Sequence, residues 1–470
     1  MTSFSFLSRL LAGGAALSLA ACATVGPDYT APTATDAGLP AAYQNANVAA
    51  QSPETLARWW EQFNDPVLNA LVDRALASNL DLAQSVARLR QARESLVQAR
   101  AGRIPTIGAS AGAGQRFDTD GNEGRDFSTG ADASWEADLF GGITRSIEAA
   151  QADAEGSYYD LAAVQVAIVA ETVANYVDAR LSQQRLTLAR DTLAIADENL
   201  EIAGWRVQAG LVSSLDSEQA RASRAQTAAS IPTIEQGIAG AAYRLAVLTG
   251  QTPGAVTPLL GDTGALPAGP NAIAAGIPAD TLRQRPDVRG AERSLAAATA
   301  RIGVAEAQLY PALRITGDIG TSAGSIGRLV HLITGSLFAG LSQTLFDGGR
   351  IRSQVRAQEA AAEGALAAYR QTILTSLEDV ENGLVALDAS QDRQREFAVA
   401  LDAATNSAIL ARSQYRAGLT DFQTLLQAES SLLSAREGLL SSRGEQAQAV
   451  VQLYRALGGG WDSTASAEAR

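Results

Sequence analysis

The sequence predicts a mainly helical chain that contributes to a membrane β-barrel. It is built as a two-fold internal repeat of helix, β-hairpin, long helix, tip and returning helix. Three observations predict this. Matched segments recur at an offset of about 206–208 residues: Leu80-Asp81-Leu82 with Pro286-Asp287-Val288, Ile104-Pro105 with Tyr310-Pro311, Leu139-Phe140 with Leu345-Phe346, and Gly141-Gly142 with Gly348-Gly349. Seven-residue apolar repeats run through two long stretches, one per copy. Between the matched helices lie segments in which Gly, Ser and Thr alternate with Ala, Ile and aromatics.

Composition narrows the possibilities. The chain has 470 residues, 46% hydrophobic, and a formal net charge of -13, which argues against nucleic-acid binding. All 37 basic residues are arginine. One His and one Cys leave no disulfide pair and little from which to build a metal cluster or a Ser/His/Asp triad. The chain is therefore read as no enzyme, with no cofactor. His331, in a Gly/Ser-rich region, is read as an ordinary polar residue. No uninterrupted apolar run reaches the ~18 residues of a membrane-spanning helix.

Taken in order, residues 1–21 read as a signal peptide. Arg9 precedes a short apolar run from Leu10 to Ala21, too short to span a bilayer. The run ends Leu19-Ala20-Ala21-Cys22, which resembles the bacterial lipobox and makes Cys22 the lipidation site. Residues 22–60 are rich in Pro, Ala and Thr and read as an extended strap, closed by Trp59-Trp60 packing onto the body.

The first repeat covers 61–254. A helical pattern from Pro66 to Arg103 ends at Pro105. Strands follow at about 106–140, divided by a polar loop from Asp118 to Arg125. Each run is about ten residues, the length of a membrane-crossing strand. Gly141-Gly142 open a helix over about 144–208. In it Leu186, Leu193, Leu200 and Val207 form one series, and Leu181, Leu188, Ile195 and Ile202 another. These lie ~200° apart around the helix, so it has a neighbour on each side. Gly210 marks a tip at about 209–214, and a shorter helix runs over about 213–249. Residues 255–280 form a Gly/Pro-rich linker.

The second repeat covers 281–461, with strands at about 312–346 and a tip around Gly418 at about 416–422. Its long helix, about 350–416, carries Leu366, Ile373, Val380, Leu387, Leu401 and Tyr415 on one seven-residue stripe, interrupted by Gln394. Ser213 and Asp421 are placed to cap the returning helices. Residues 462–470 form a polar tail, read as disordered.

Each long helix of about 65 residues reaches ~100 Å. Four strands cannot close a barrel, and lipid does not tolerate open sheet edges. Two copies would supply eight strands and three would supply twelve. The polar, Gly-rich alternation implies a water-filled interior and favours three.

Several marks coincide: the lipobox with Val25-Gly-Pro-Asp-Tyr29, Trp59-Trp60 with Phe63-Asn-Asp-Pro66, Arg285-Pro-Asp-Val-Arg289, Leu345-Phe-Asp-Gly-Gly349 and Leu457-Gly-Gly-Gly-Trp461. Together the chain resembles the outer-membrane efflux lipoproteins of the OprM/NodT type, relatives of TolC. The resemblance implies a homotrimer with a twelve-stranded barrel and a periplasmic α-helical barrel, lipid-anchored in the outer membrane. It implies two partners, a periplasmic adaptor and an inner-membrane transporter of the resistance-nodulation-division class. The role implied is the passive exit duct of a tripartite efflux pump for drugs or other small molecules. The alternative is the outer-membrane component of a type I protein secretion system.

The resemblance also implies a gate at the helical tips, shut by polar links between hairpins. One link joins an aspartate after the first tip to a tyrosine before the second; Asp216 and Tyr415 hold those positions. The sequence departs from the TolC pattern elsewhere. Thr420 stands where a locking Arg is found, and Thr424 and Gln427 stand where two carboxylates ring the entrance. Asp421 and Glu429 are the nearby carboxylates that could replace them.

Overall fold

The computed structural model describes residues 24–33, 40, 42–44, 53–117, 123–276, 278 and 284–462. The signal segment, Cys22, the strand-loop residues 118–122 and the tail from 463 lie outside the described residues.

Helices dominate. Helix α1 is Pro53–Ala57, and a 3-10 turn spans Trp59–Phe63. Helix α2 is Pro66–Ser78 and α3 is Leu80–Ala101. Strands β1 (Thr106–Phe117) and β2 (Glu123–Ala137) follow. Next come the long α4 (Gly142–Gln208), α5 (Ser214–Leu248) and the short α6 (Thr257–Leu260). Helix α7 (Pro286–Ala307) leads into β3 (Ala312–Ala323) and β4 (Thr334–Ser342). The chain closes with α8 (Arg350–Arg416) and α9 (Phe422–Ala456). The two long helices each have 67 residues and the two returning helices 35.

Two expectations are corrected. The helix expected over 66–103 is two helices, broken at Asn79. Its side chain accepts from the Asp81 and Leu82 amides (2.8 and 3.0 Å) and donates to the Leu248 carbonyl at 2.9 Å. A side-chain oxygen that satisfies the free amides of a new helix starts that helix. The strands stop at Ala137 and Ser342 rather than at 140 and 346, and Glu123–Arg125, expected in the loop, belong to β2. Within the chain, α4 has a more deeply buried seam beside its Leu/Ile series. It is a stripe of small residues, Ala189, Ala196 and Ala203, at 7%, 9% and 0% exposure. Of the two leucine/isoleucine/valine series Leu186 is buried and the other seven members are half-buried. Small side chains let helix backbones approach, while the larger ones face sideways.

By contacts the chain forms two compact units. The first takes the stretch up to Thr33 with 87–159 and 289–371; the second takes 34–86, 160–288 and 372–470. In the first unit the four strands form one antiparallel sheet in the order β1-β2-β3-β4. The start of α4 packs on α7 through Ala152, Ala296 and Ala297. The strap is seated by Arg145, whose guanidinium donates to the Val25 and Gly26 carbonyls (3.0 and 3.1 Å) and to Asp28 (2.7 Å). Tyr29 donates to Glu292.

The second unit holds the main core. Trp59 stacks on Tyr454 at 5.0 Å and meets Trp60 and Phe63 edge-on. Tyr43 of the strap joins this cluster with Val169, Val173 and Val177 of α4 and Val380 and Leu387 of α8. One 18-residue stretch of α4 is apolar enough to cross a membrane by length and composition, and half of it is buried inside the chain. That burial is the ordinary one of a core helix. Asp65 caps α2, accepting from the Val67 and Leu68 amides, while its other oxygen accepts from the Tyr176 hydroxyl at 2.6 Å.

Candidate functional site

The two tips are built alike. Each long helix ends on a glycine with positive φ, +70° at Gly210 and +76° at Gly418. The next amide bonds back five residues: Leu211 to the Arg206 carbonyl at 2.9 Å, Leu419 to the Gln414 carbonyl at 2.8 Å. This is the left-handed helix stop that only glycine enters without strain. The returning helices are then capped as expected. Ser213 accepts from the Leu215 amide and Asp421 from the Thr424 amide at 2.8 Å. Hydrogen bonds from Thr424, its hydroxyl first and its amide second, hold the Asp421 carboxyl below the usual carboxylate range.

Tyr415 is 1% exposed. Its ring lies 5.4 Å from Phe422, in a small apolar cluster with Ala203, Ala220, Ala411 and Leu425. The Arg206 guanidinium sits 4.4 Å over the ring and donates to the Tyr415 carbonyl at 2.7 Å. Among the described residues the Tyr415 hydroxyl, which is buried, has no hydrogen-bond partner. The expected Asp216 bond is therefore not made within this chain. Asp216, in the first turn of α5, still acts on the phenol through space: burial raises the Tyr415 pKa, Arg206 opposes the rise, and Asp216 adds to it.

Glu429 is drawn inward rather than left at the entrance. It accepts from Asn199 at 2.6 Å and from Arg412 at 3.0 Å. Burial pushes its carboxyl up, against the pull of Arg412. Arg416 pairs with Glu198. Thr420 is half-buried, and Thr424 and Gln427 are exposed. So the structure brings Tyr415 and Glu429 into contact with α4, leaves Asp421 as a cap, and leaves Gln427 facing solvent.

The residues missed in the sequence are Arg206, Asn199 and Arg412. Their signal was faint. Asn199 and Arg206 are seven apart, one polar stripe beside the apolar ones. Chemically the arrangement ties the first hairpin to the second through a cation–π contact and a charge-assisted bridge. Such contacts are worth roughly 0.5–2 kcal/mol each, weak enough to be broken by a partner.

The sheet supplies a second feature. Register sorts its residues into a mainly apolar and a mainly polar face, with Phe338 an exception on the polar one and Gln115, Thr129 and Thr321 exceptions on the apolar one. One face shows Ile107, Ala131, Ala133, Trp135, Ile315, Ile319, Leu337 and Leu341; the other shows Gly108, Ser128, Asp132, Ser134, Thr316, Asp318 and Ser336. Strands β1 and β4 each leave one edge unpaired within the chain.

Comparison with known proteins agrees with this geometry. The family model described as "Outer membrane efflux protein" matches residues 71–251 and 277–459. A relative named "Nodulation protein T", from Rhizobium leguminosarum bv. trifolii, is 31% identical over 98% of each chain. The "Pyoverdine export outer membrane protein OpmQ" of Pseudomonas aeruginosa is 31% identical, over 96% of this chain and 98% of its own. Among solved structures, the outer-membrane channel OprN superposes with a TM-score of 0.85 at 35% identity, covering 93% of this chain and 99% of its own. The open state of the Neisseria gonorrhoeae MtrE outer membrane channel gives 0.80 at 25% identity, covering 93% and 98%.

Proposed function

The chain belongs to the outer membrane efflux protein family, and from that membership we propose that it is the outer-membrane exit duct of a tripartite efflux pump. Three copies close a twelve-stranded barrel, each β4 pairing the β1 of its neighbour. The periplasmic adaptor and the inner-membrane transporter supply substrate and energy, and this chain supplies pore and gate. The observation that carries the reading is the sheet: one mainly apolar face, one mainly polar, Gly-rich face and two open edges. In lipid such a sheet needs further copies to cover its edges. Small-molecule efflux is preferred over protein secretion because the relatives' names refer to pyoverdine export and to toluene and antibiotic efflux.

The gate lies at the tips. Tyr415's buried, unpartnered hydroxyl is the donor half of a link, and we assign Asp216 as its acceptor. Arg206 and the Asn199–Glu429–Arg412 bridge hold the same two hairpins together. Cys22 carries the lipid anchor. The test is single-channel recording in a planar bilayer with purified full-length protein. A discrete conductance that rises when tip contacts are removed is expected; no conductance at all, in wild type and tip variants alike, would overturn the reading.

A further inference from the structure

At the foot of the sheet, where β2, β3 and β4 give way to helices, lies a cavity of about 680 Å³. That is the size of an ordinary small-molecule site. Glu136, Ala312 and Ser342 of the polar face and Ala137 at the end of β2 line it together with the ends of α3 and α7. Two aromatic rings stand in its wall. Phe140 and Tyr310 stack at 4.7 Å with planes 20° apart, and Tyr310 is 43% exposed. Stacked rings with an open face are a platform for a further flat ring.

The charge in the cavity has one sign. Its lining includes Glu136 and Asp138 and no basic residue. Asp138 is already committed: it accepts from the Ile143 and Thr144 amides at 3.0 and 2.8 Å, and from the Thr144 hydroxyl at 2.7 Å. Glu136 is exposed and heads no helix. Further along the same face, Asp132 and Asp318 stand directly opposite each other across β2 and β3. Like charges facing across strands cost stability, so this pair is not explained by the folding of the sheet. Beside Glu136 itself stands a cation: Arg314 is its register partner on β3.

We infer that this cavity is a subsite for planar organic cations passing through the duct, with Phe140 and Tyr310 as the stacking platform and Glu136 as the counter-charge. A delocalised cation gains twice here, from the ring faces and from the carboxylate. Gln98 and Gln308, which also line the cavity, offer amide oxygens to any N–H group the ligand carries. Arg314 limits affinity, as transit demands: a duct that held its cargo tightly would block itself. The inference rests on the conduit reading above, because only a duct passes ligand along this face.

The test is a fluorescence titration of ethidium, a planar organic cation, against the purified full-length protein in detergent. Wild type should bind saturably, and excess of a second planar cation, but not tetramethylammonium, should compete. Glu136→Gln and Tyr310→Ala should each weaken binding by about tenfold, the loss of one good contact. Tyr310→Phe, which keeps the ring, should bind as wild type, and Arg314→Gln should bind more tightly. Matching circular dichroism spectra establish that each variant is folded. Equal affinity across the set, or no saturable binding in wild type, would overturn the subsite. The two readings fail separately: a protein that conducts in bilayers but shows no ethidium binding refutes the subsite alone, and one that binds but never conducts refutes the duct.

Discussion

Tyr415 shows how one residue's role depends on what surrounds it. In the sequence it is the last member of a heptad stripe. In the fold it is a buried phenol under a guanidinium, with its hydroxyl unpaired. If Asp216 accepts that hydroxyl in the closed gate, the bond is worth about 1–2 kcal/mol. Asp216→Ala and Tyr415→Phe should then each shift the gate toward open by roughly 5–30-fold. Both should raise basal conductance and sensitivity to vancomycin, and the double variant should add little, since both remove one interaction. Fully additive effects would refute the pair. The same phenol makes a pH prediction. Burial raises its pKa above the ordinary 10.0, so the folded state prefers the neutral form. Its contribution to stability is whole below the ordinary value and is lost as pH rises through the folded one. Tyr415→Phe should therefore lose less stability than wild type between pH 9 and pH 11, read from denaturation midpoints. An unchanged alkaline slope would show that the phenol does not titrate there.

Among the elements, the helices were legible almost to their ends because a seven-residue period survives over many turns. The strands were legible as hairpins, but their faces were not. Alternation alone says that two faces exist; only register says which residues share one across four strands. Ala133 faces the apolar side with Trp135, Ile315 and Leu337, while Ser134 faces the polar side with Thr106 and Thr316. Trp135 also reaches down to donate to the Arg103 carbonyl at 3.0 Å. Arg introduced at Ala133 should cost roughly 2–4 kcal/mol if placed near the middle of the bilayer. Ser134→Arg should be tolerated. The recovered fraction of folded protein after refolding into bilayers measures both, and equal tolerance would contradict a lipid-facing assignment. The break at Asn79 was missed for a different reason. Nothing in the helical period of 66–103 falters there; a side chain satisfied by the distant Leu248 carbonyl makes the break.

For the molecule as a whole, the repeat and the compact units do not coincide. Each unit draws on both repeats, since α4 and α8 run through the boundary between them. Residues 25–29 of the strap are bound within the first unit by Arg145 and Glu292. This bears on the lipid anchor. Cys22→Ser should abolish incorporation of labelled palmitate. Function should fall only partly, because a closed barrel and a seated strap hold the protein in place without the acyl chains. If wild type takes up no label, the lipoprotein assignment fails; if the variant loses all export while remaining folded, the barrel is not the main anchor.

The sequence alone determined the repeat, the long helices, the two glycine tips with their caps, and the family. These depend on local periodicity and on backbone conformations that one residue type permits, so they are written in consecutive residues. Tertiary structure alone decided which face of the sheet is apolar, which stripe of α4 is buried, and that Glu429 meets Arg412 and Asn199 instead of facing the entrance. Those outcomes join residues up to 230 positions apart, as Asn199 and Glu429 are. No local pattern encodes such a pairing, because it depends on how two separate hairpins pack.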